Sequence, residues 1–119
     1  MKIKLPFPPS VNHYWGSRVA GKRVMQYIAA KGKKFREDVL EAVSELDHET
    51  ITDRLHVTVE LYMPDRRRRD IDNYLKALLD SLMYAKLIED DSQIDKLTVT
   101  RNEIIKNGYV VVTIQTIKE

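Results

Sequence analysis

RLHVTVELYMPDRRRRDIDNYLKALLDSLMY, residues 54–84, passes from one backbone period to another across a densely charged turn. Leu55, Val57, Val59, Leu61 and Met63 alternate with His56, Thr58, Glu60 and Tyr62. A period of two puts one face of a β-strand against a core. Pro64 follows, and a residue without an N–H cannot continue a ladder, so a strand over 54–63 ends there. From Ile71 the apolar residues switch to helical spacing: Ile71, Leu75, Leu78, Leu79, Leu82 and Met83. They predict a helix over about 71–86 whose opposite face carries Asp72, Asn73, Lys76 and Asp80.

Working outward, residues 2–6 read as a short strand stopped by Pro6, Pro8 and Pro9. Phe35, Val39, Leu40, Val43 and Leu46 predict a helix over about 30–48. Leu97 and Val99 alternate with Thr98 and Thr100, and 109–117 is β-branched and apolar, with Asn107-Gly108 between them as a hairpin signal. The order β-α-β-α-β-β predicts an α/β (α+β two-layer) fold in one domain, 1–119, with two main helices on a mixed four-stranded sheet. Residues 10–23 show no period and read as a long loop. Its mixture of His13, Tyr14, Trp15, Arg18, Lys22 and Arg23 suits phosphate contact and base stacking, or, for the two aromatics, anchoring of the loop to the core.

The turn between strand and helix carries the chemistry. Arg66, Arg67, Arg68 and Arg69 run directly into Asp70, Asp72 and Lys76, and Asp91 follows in a second acidic segment, Glu89-Asp90-Asp91. Carboxylates at this density suit a hard divalent cation such as Mg²⁺, which takes oxygen ligands. Arginines beside them point to a substrate that carries phosphate. Together they predict metal-dependent phosphodiester chemistry on nucleic acid, with Lys76 neutralising phosphate charge and with Asn73 and Asp90 as supporting residues around the ligands. The competing structural reading makes Asp70 a helix cap and Asp72–Lys76 a surface pair worth ~0.3–0.5 kcal/mol. Asp91 meets Asp70 within one chain only if the segment after the second helix returns along the sheet.

The 119 residues hold 20 Lys and Arg against 18 Asp and Glu, a net charge of +2 that conceals segregation. Residues 1–36 hold nine basic residues and no acidic one, whereas 37–65 hold nine acidic residues and one arginine. Such segregation favours polyanion binding, here through Lys33, Lys34, Arg18, Lys22, Arg23 and the arginine run. Cysteine is absent, which excludes thiol catalysis and zinc-thiolate sites. No run approaches the ~20 apolar residues of a membrane span, and no signal peptide is evident, so a cytoplasmic protein is expected.

The segment from Met63 through Asn73, with Lys76 after it, closely resembles the signature of the RusA family of Holliday junction resolvases. Leu5-Pro6-Phe7-Pro8-Pro9-Ser10-Val11-Asn12 is similar to the family's N-terminal motif, and Lys31-Gly32-Lys33-Lys34-Phe35-Arg36 and Glu89-Asp90-Asp91 fall where the family has similar residues. The resemblance covers nearly the whole chain. It implies a homodimeric endonuclease dependent on Mg²⁺, with Mn²⁺ able to substitute, that nicks two symmetry-related strands of a four-way DNA junction. It maps the essential acids onto Asp70, Asp72 and Asp91 and the essential lysine onto Lys76. The expected products carry 5′-phosphate and 3′-hydroxyl ends, and neither a membrane nor a small-molecule cofactor is expected. Two other readings stand beside this one: a non-catalytic basic DNA-binding module, and a phosphoesterase acting on small phosphates.

Overall fold

The computed structural model describes residues 1–20 and 23–117, with side chains throughout except at 15, 17–20 and 23–27. Strands β1 (Lys2–Pro6), β4 (Leu55–Tyr62), β5 (Ile94–Arg101) and β6 (Tyr109–Thr116) form a sheet in the order β1-β6-β4-β5. β4 and β5 are parallel; β6 is antiparallel to both β4 and β1. Helices α2 (Ala30–Ser44) and α3 (Leu75–Tyr84) pack on each other and cover one sheet face, so the expected mixed sheet with two main helices is present. The alternation in β4 does what its period requires. Leu55, Val57, Val59 and Leu61 are fully buried under the helices, with Phe35, Val39, Leu78 and Leu82 above them. His56, Thr58, Glu60 and Tyr62 are half-buried on the opposite face, where Tyr62 stacks on Tyr109.

Of the expected loop over 10–23, the described residues 10–20 and 23 are ordered differently. A helical turn α1 (Val11–Tyr14) is followed by β2 (Trp15–Ala20) and β3 (Arg23–Ile28), an antiparallel pair in register from Trp15↔Ile28 to Ala20↔Arg23. These strands join no larger sheet. Their residues do not alternate strictly between apolar and polar, so the period-two signal is missing.

The expected β5–β6 hairpin is also replaced, because β4 lies between the two strands. Asn107 and Gly108 do take the left-handed conformation that an Asn-Gly turn requires, with φ of 71° and 61°. The turn instead closes a longer connection over the exit of β4, in which Asn102 N–H donates to the Leu61 carbonyl (2.8 Å) and Ile105 N–H to that of Met63 (3.0 Å). Local turn chemistry specifies the bend but not which strand lies alongside.

The predicted second helix starts with a 3₁₀ turn, Ile71–Tyr74, before α3 proper. It ends in a Schellman arrangement: Leu87 N–H donates to the Leu82 carbonyl and Lys86 N–H to that of Met83, with Lys86 left-handed at φ 60°. The first helix stops at Ser44, short of the expected 48.

Gly32 sets how closely α1 and α2 approach. A Cβ there would lie 2.4 Å from the Tyr14 carbonyl oxygen and 2.9 Å from Ile28 Cγ2. The carbonyl is itself held by the Ala29 N–H at 2.9 Å, so it cannot yield cheaply. Alanine's helix propensity favours the substitution by ~1 kcal/mol, but overpacking against backbone costs ~1–3 kcal/mol and should win. Gly32→Ala should therefore lower the urea midpoint, and an unchanged or higher midpoint would contradict this packing.

Candidate active site and nucleic-acid interface

The turn after β4 is built on Asp65. Its carboxylate accepts the Arg67 backbone N–H at 2.9 Å and both terminal nitrogens of Arg69, and it lies 3.4 Å from Arg67 Nε. Arg69 hydrogen bonding first, then the Arg67 N–H, holds the Asp65 carboxyl down at about 2. Arg69 is thus largely enclosed, whereas the Arg67 side chain is 81% exposed. Arg66 and Arg68 are exposed and make no ion pair among the described residues. Sequence reasoning gave Asp65 no role, although an acid directly before four arginines is the signal that could have found it.

The arginines open onto a cleft of about 360 Å³ lined by Arg67, Arg68, Arg69, Lys31, His13, Ser10, Phe7, Pro8 and Tyr74. Phe7 and Tyr74 meet edge to face at 4.8 Å and give it an apolar wall. Burial raises the Tyr74 hydroxyl pKa against the opposing pull of Arg69. Ser10 starts α1, its carbonyl accepting the His13 and Tyr14 N–H groups, while its hydroxyl lies 3.1 Å from His13 Nδ1. The basic N-terminal end of α2 therefore reaches the arginine turn through Lys31. Lys34 sits at the rim of a neighbouring cleft and pairs with Asp38 at 3.4 Å, and Lys33 lies toward Arg36, Glu37 and Tyr84. Arg18 and Arg23 fall in β2 and β3; their side chains, and Lys22 altogether, lie outside the described residues.

Asp70 has extended backbone, φ −87° and ψ 134°, at the mouth of the 3₁₀ turn and makes no side-chain capping bond. The capping explanation for Asp70 therefore fails. Asp72 and Lys76 are exposed and form no ion pair with each other, so the surface-pair explanation fails as well. Asn73 is half-buried with its N–H on the Asp70 carbonyl at 3.2 Å. Asp70 directly follows Arg69, which lines the cleft, and Asp70, Asp72 and Lys76 make no ion pair among the described residues.

Asp91 does not join them within the chain. It opens a 3₁₀ turn, Asp91–Gln93, that leads into β5 at Ile94, and Ile94 pairs with Leu55 at the start of β4. Asp70 follows the other end of β4, where Arg101 donates to the Arg69 carbonyl. Six residues of strand separate the two rows, ~20 Å at ~3.3 Å per residue. Among the described residues no three carboxylate, histidine or cysteine side chains lie within reach of one ion. Asp90 is occupied as a cap: its carboxylate accepts the Ser92 N–H, and its own N–H donates to Gln93 Oε1 at 2.7 Å. Those Ser92 hydrogen bonds lower its pKa. Buried Gln93, which sequence reasoning missed, donates to the Ile51 and Asp53 carbonyls at 2.9 Å each and pins the segment presenting Asp91.

Comparison with known proteins identifies the family. The family described as endodeoxyribonuclease RusA matches residues 6–115. The chain belongs to the RusA family. It is 44% identical over 105 residues to a crossover junction endodeoxyribonuclease of Enterobacteria phage HK97, covering 87% of this chain and 84% of that one. A protein of the same name from Enterobacteria phage 82 is 36% identical over 114 residues, covering 94% and 91%. One from Escherichia coli K12 is 33% identical over 113 residues with the same coverage. In this RusA-family chain no helix among the described residues is long and apolar enough to cross a membrane.

The depressed Asp65 pKa fixes a sign. A carboxylate near 3.9 when unfolded and about 2 when folded stabilises above pH ~4, and that contribution fades as pH falls toward 2. Asp65→Asn should be less stable than the parent at pH 5–7, with the difference shrinking in acid. Thermal unfolding of both proteins between pH 2 and 7 checks it, and a difference independent of pH would contradict the assignment.

Proposed function

We propose that this protein is a structure-selective endonuclease that resolves four-way (Holliday) DNA junctions by paired nicks, acting as a homodimer with Mg²⁺ or Mn²⁺. The observation that carries the reading is that Asp70, Asp72 and Lys76, none of them in an ion pair among the described residues, follow directly on Arg67–Arg69, which line a basic cleft, in a chain of the RusA family. The relatives named crossover junction endodeoxyribonuclease support the substrate, and a nuclease acting on cellular DNA belongs in the cytoplasm.

Arg66, Arg67, Arg68 and Lys31 bind the DNA backbone, and Arg69 with Asp65 keeps the turn in shape. Asp70 and Asp72 suit part of a magnesium site, since that ion is held by one or two carboxylates together with waters and substrate phosphate. When bound, the ion supplies an activated water and charge neutralisation. Lys76, on the same flank as Asp72, offsets the charge that grows on the phosphate. A two-fold dimer matches a junction with near two-fold symmetry and two cuts.

A labelled four-way junction beside a linear duplex of the same sequence, with and without Mg²⁺, tests the reading. Cutting should be confined to the junction and abolished by chelator, whereas gel-shift binding should survive. Asp70→Asn and Asp72→Asn should bind junctions and fail to cut them. Normal cutting by both would favour a non-catalytic binding module.

Binding and turnover should separate by residue. Replacing Lys33 and Lys34 by alanine should weaken junction and duplex binding alike and flatten the salt dependence by about 0.9 log units per lost phosphate contact. Lys76→Ala should alter that slope by no more than about one contact yet slow single-turnover cutting by roughly 10²-fold or more. Wild-type cutting by saturated Lys76→Ala would make Lys76 a phosphate anchor only.

A further inference from the structure

The sheet has a second face, turned away from the helices, and its end beside the arginine turn carries lysines. The alternation of β1 buries Ile3 and Leu5 and leaves Lys2, Lys4 and Pro6 exposed on that face. Pro6 pairs with Tyr109, and Tyr109 with Tyr62, so the two tyrosines lie side by side there, stacked at 4.4 Å. Lys4 Nζ rests 4.1 Å from the centre of the Tyr109 ring. Opposite stands the turn that carries Lys106. Gly108 lets that turn pack on the exit of β4: a Cβ there would lie 2.9 Å from the Tyr62 carbonyl oxygen and 3.0 Å from Pro64. The space between is a cleft of about 480 Å³ whose walls include Lys4, Pro6, Ile105, Lys106 and Tyr109.

The chemistry of this cleft suits phosphate. Neither lysine makes an ion pair among the described residues. Glu60, on the same face of β4, is occupied by the Asn102 side-chain amide at 3.0 Å, and Glu103 is exposed on the connection before Lys106. A lysine side chain loses rotamer freedom when it grips an anion. Lys4 is held in advance, because the negative face of the Tyr109 ring attracts its ammonium. β6 lies between β1 and β4, so Lys4 and Tyr62 approach that ring from opposite sides and leave no face for a base to stack on. Two ammonium groups across one cleft instead offer compact point charges to phosphate oxygens.

The arginine cleft lies on the helix side of the same sheet end, with Lys31 of α2 and His13 of α1 in its wall. Consecutive residues join the two: Pro6 lines the lysine cleft and Phe7 the arginine cleft. We propose that Lys4 and Lys106 form a second phosphate-binding site, which takes the backbone of a junction arm while the arginine cleft holds another part of the same DNA. The inference rests on the junction-nuclease reading above and gives its selectivity a structural source. Duplex DNA is stiff over about 150 base pairs, so a straight duplex on one face of the sheet end does not wrap around to the other. Arms that diverge from a branch point reach both faces at once.

Salt titrations of binding in chelator, where no strand is cut, read the site. Lys4→Ala combined with Lys106→Ala should flatten the salt dependence for a four-way junction by about 0.9 log units per lost contact, and leave that for a linear duplex unchanged. Between roughly 50 and 200 mM salt, the parent's affinity for the junction should therefore fall about tenfold further than the double variant's. Lys4→Arg combined with Lys106→Arg keeps both charges and should keep the parent slope. An alanine pair with the parent's junction slope, or with equal flattening on junction and duplex, overturns the proposal, as does an arginine pair as flat as the alanine pair. If the parent with Mg²⁺ cuts no junction, the nuclease reading falls, while the slopes still decide the lysine cleft. If the parent cuts junctions and the alanine pair keeps its slope, the lysine cleft falls alone.

Discussion

Parallel pairing of β4 with β5 is the constraint on which the rest of the molecule depends. Two parallel strands cannot be joined by a tight turn, so the chain must travel back along the sheet before β5 can begin. α3 makes that return, and its Schellman end and the Gln93 clamp deliver the chain to the start of β5. The residues between β4 and α3 are therefore committed to one end of the sheet, and those between α3 and β5 to the other. The arginine turn, Asp70, Asp72 and Lys76 take the first end, Asp91 the second. Occupation of both edges of β4 by β5 and β6 also forces residues 102–108 to cross the end of β4, next to the arginine turn.

Electrostatics then divide the labour at the first end. Four adjacent arginines repel one another, and Asp65 removes much of that cost by taking Arg69 and the Arg67 backbone. The guanidinium groups of Arg66, Arg67 and Arg68 stay exposed to solvent. Segregated charge along the chain cancels only in part through space. Lys34 meets Asp38 within α2, but Lys31 swings to the arginines and adds to them. Asp70 and Asp72 follow this basic turn without an ion-pair partner among the described residues, so no ion pair ties them to the fold there.

Much of the fold was legible because burial writes itself into period. The strict alternation from Leu55 to Met63 and the i, i+4 stripes around Phe35 and Leu78 each face one core, and the elements lie within a few residues of where that spacing puts them. The hairpin of β2 and β3 lacks strict alternation and left no such mark. Asn107 and Gly108 adopted their left-handed turn, yet a turn constrains four residues and says nothing about the strand inserted beside it.

By itself, the sequence determined the types of the four-stranded sheet's strands and of the two main helices, and the strand-to-helix turn with its run of arginines and acids. These depend on local geometry and residue chemistry, which neighbours in the chain suffice to set. The tertiary structure alone decided which of those residues meet. It brought Lys31, Ser10 and His13 to the arginine turn, assigned Asp65 and Gln93 their anchoring roles, and set Asp91 a strand's length from Asp70. The physical reason is that proximity across a sheet follows from strand order and direction, which are settled by the burial of whole faces rather than by any short stretch of residues.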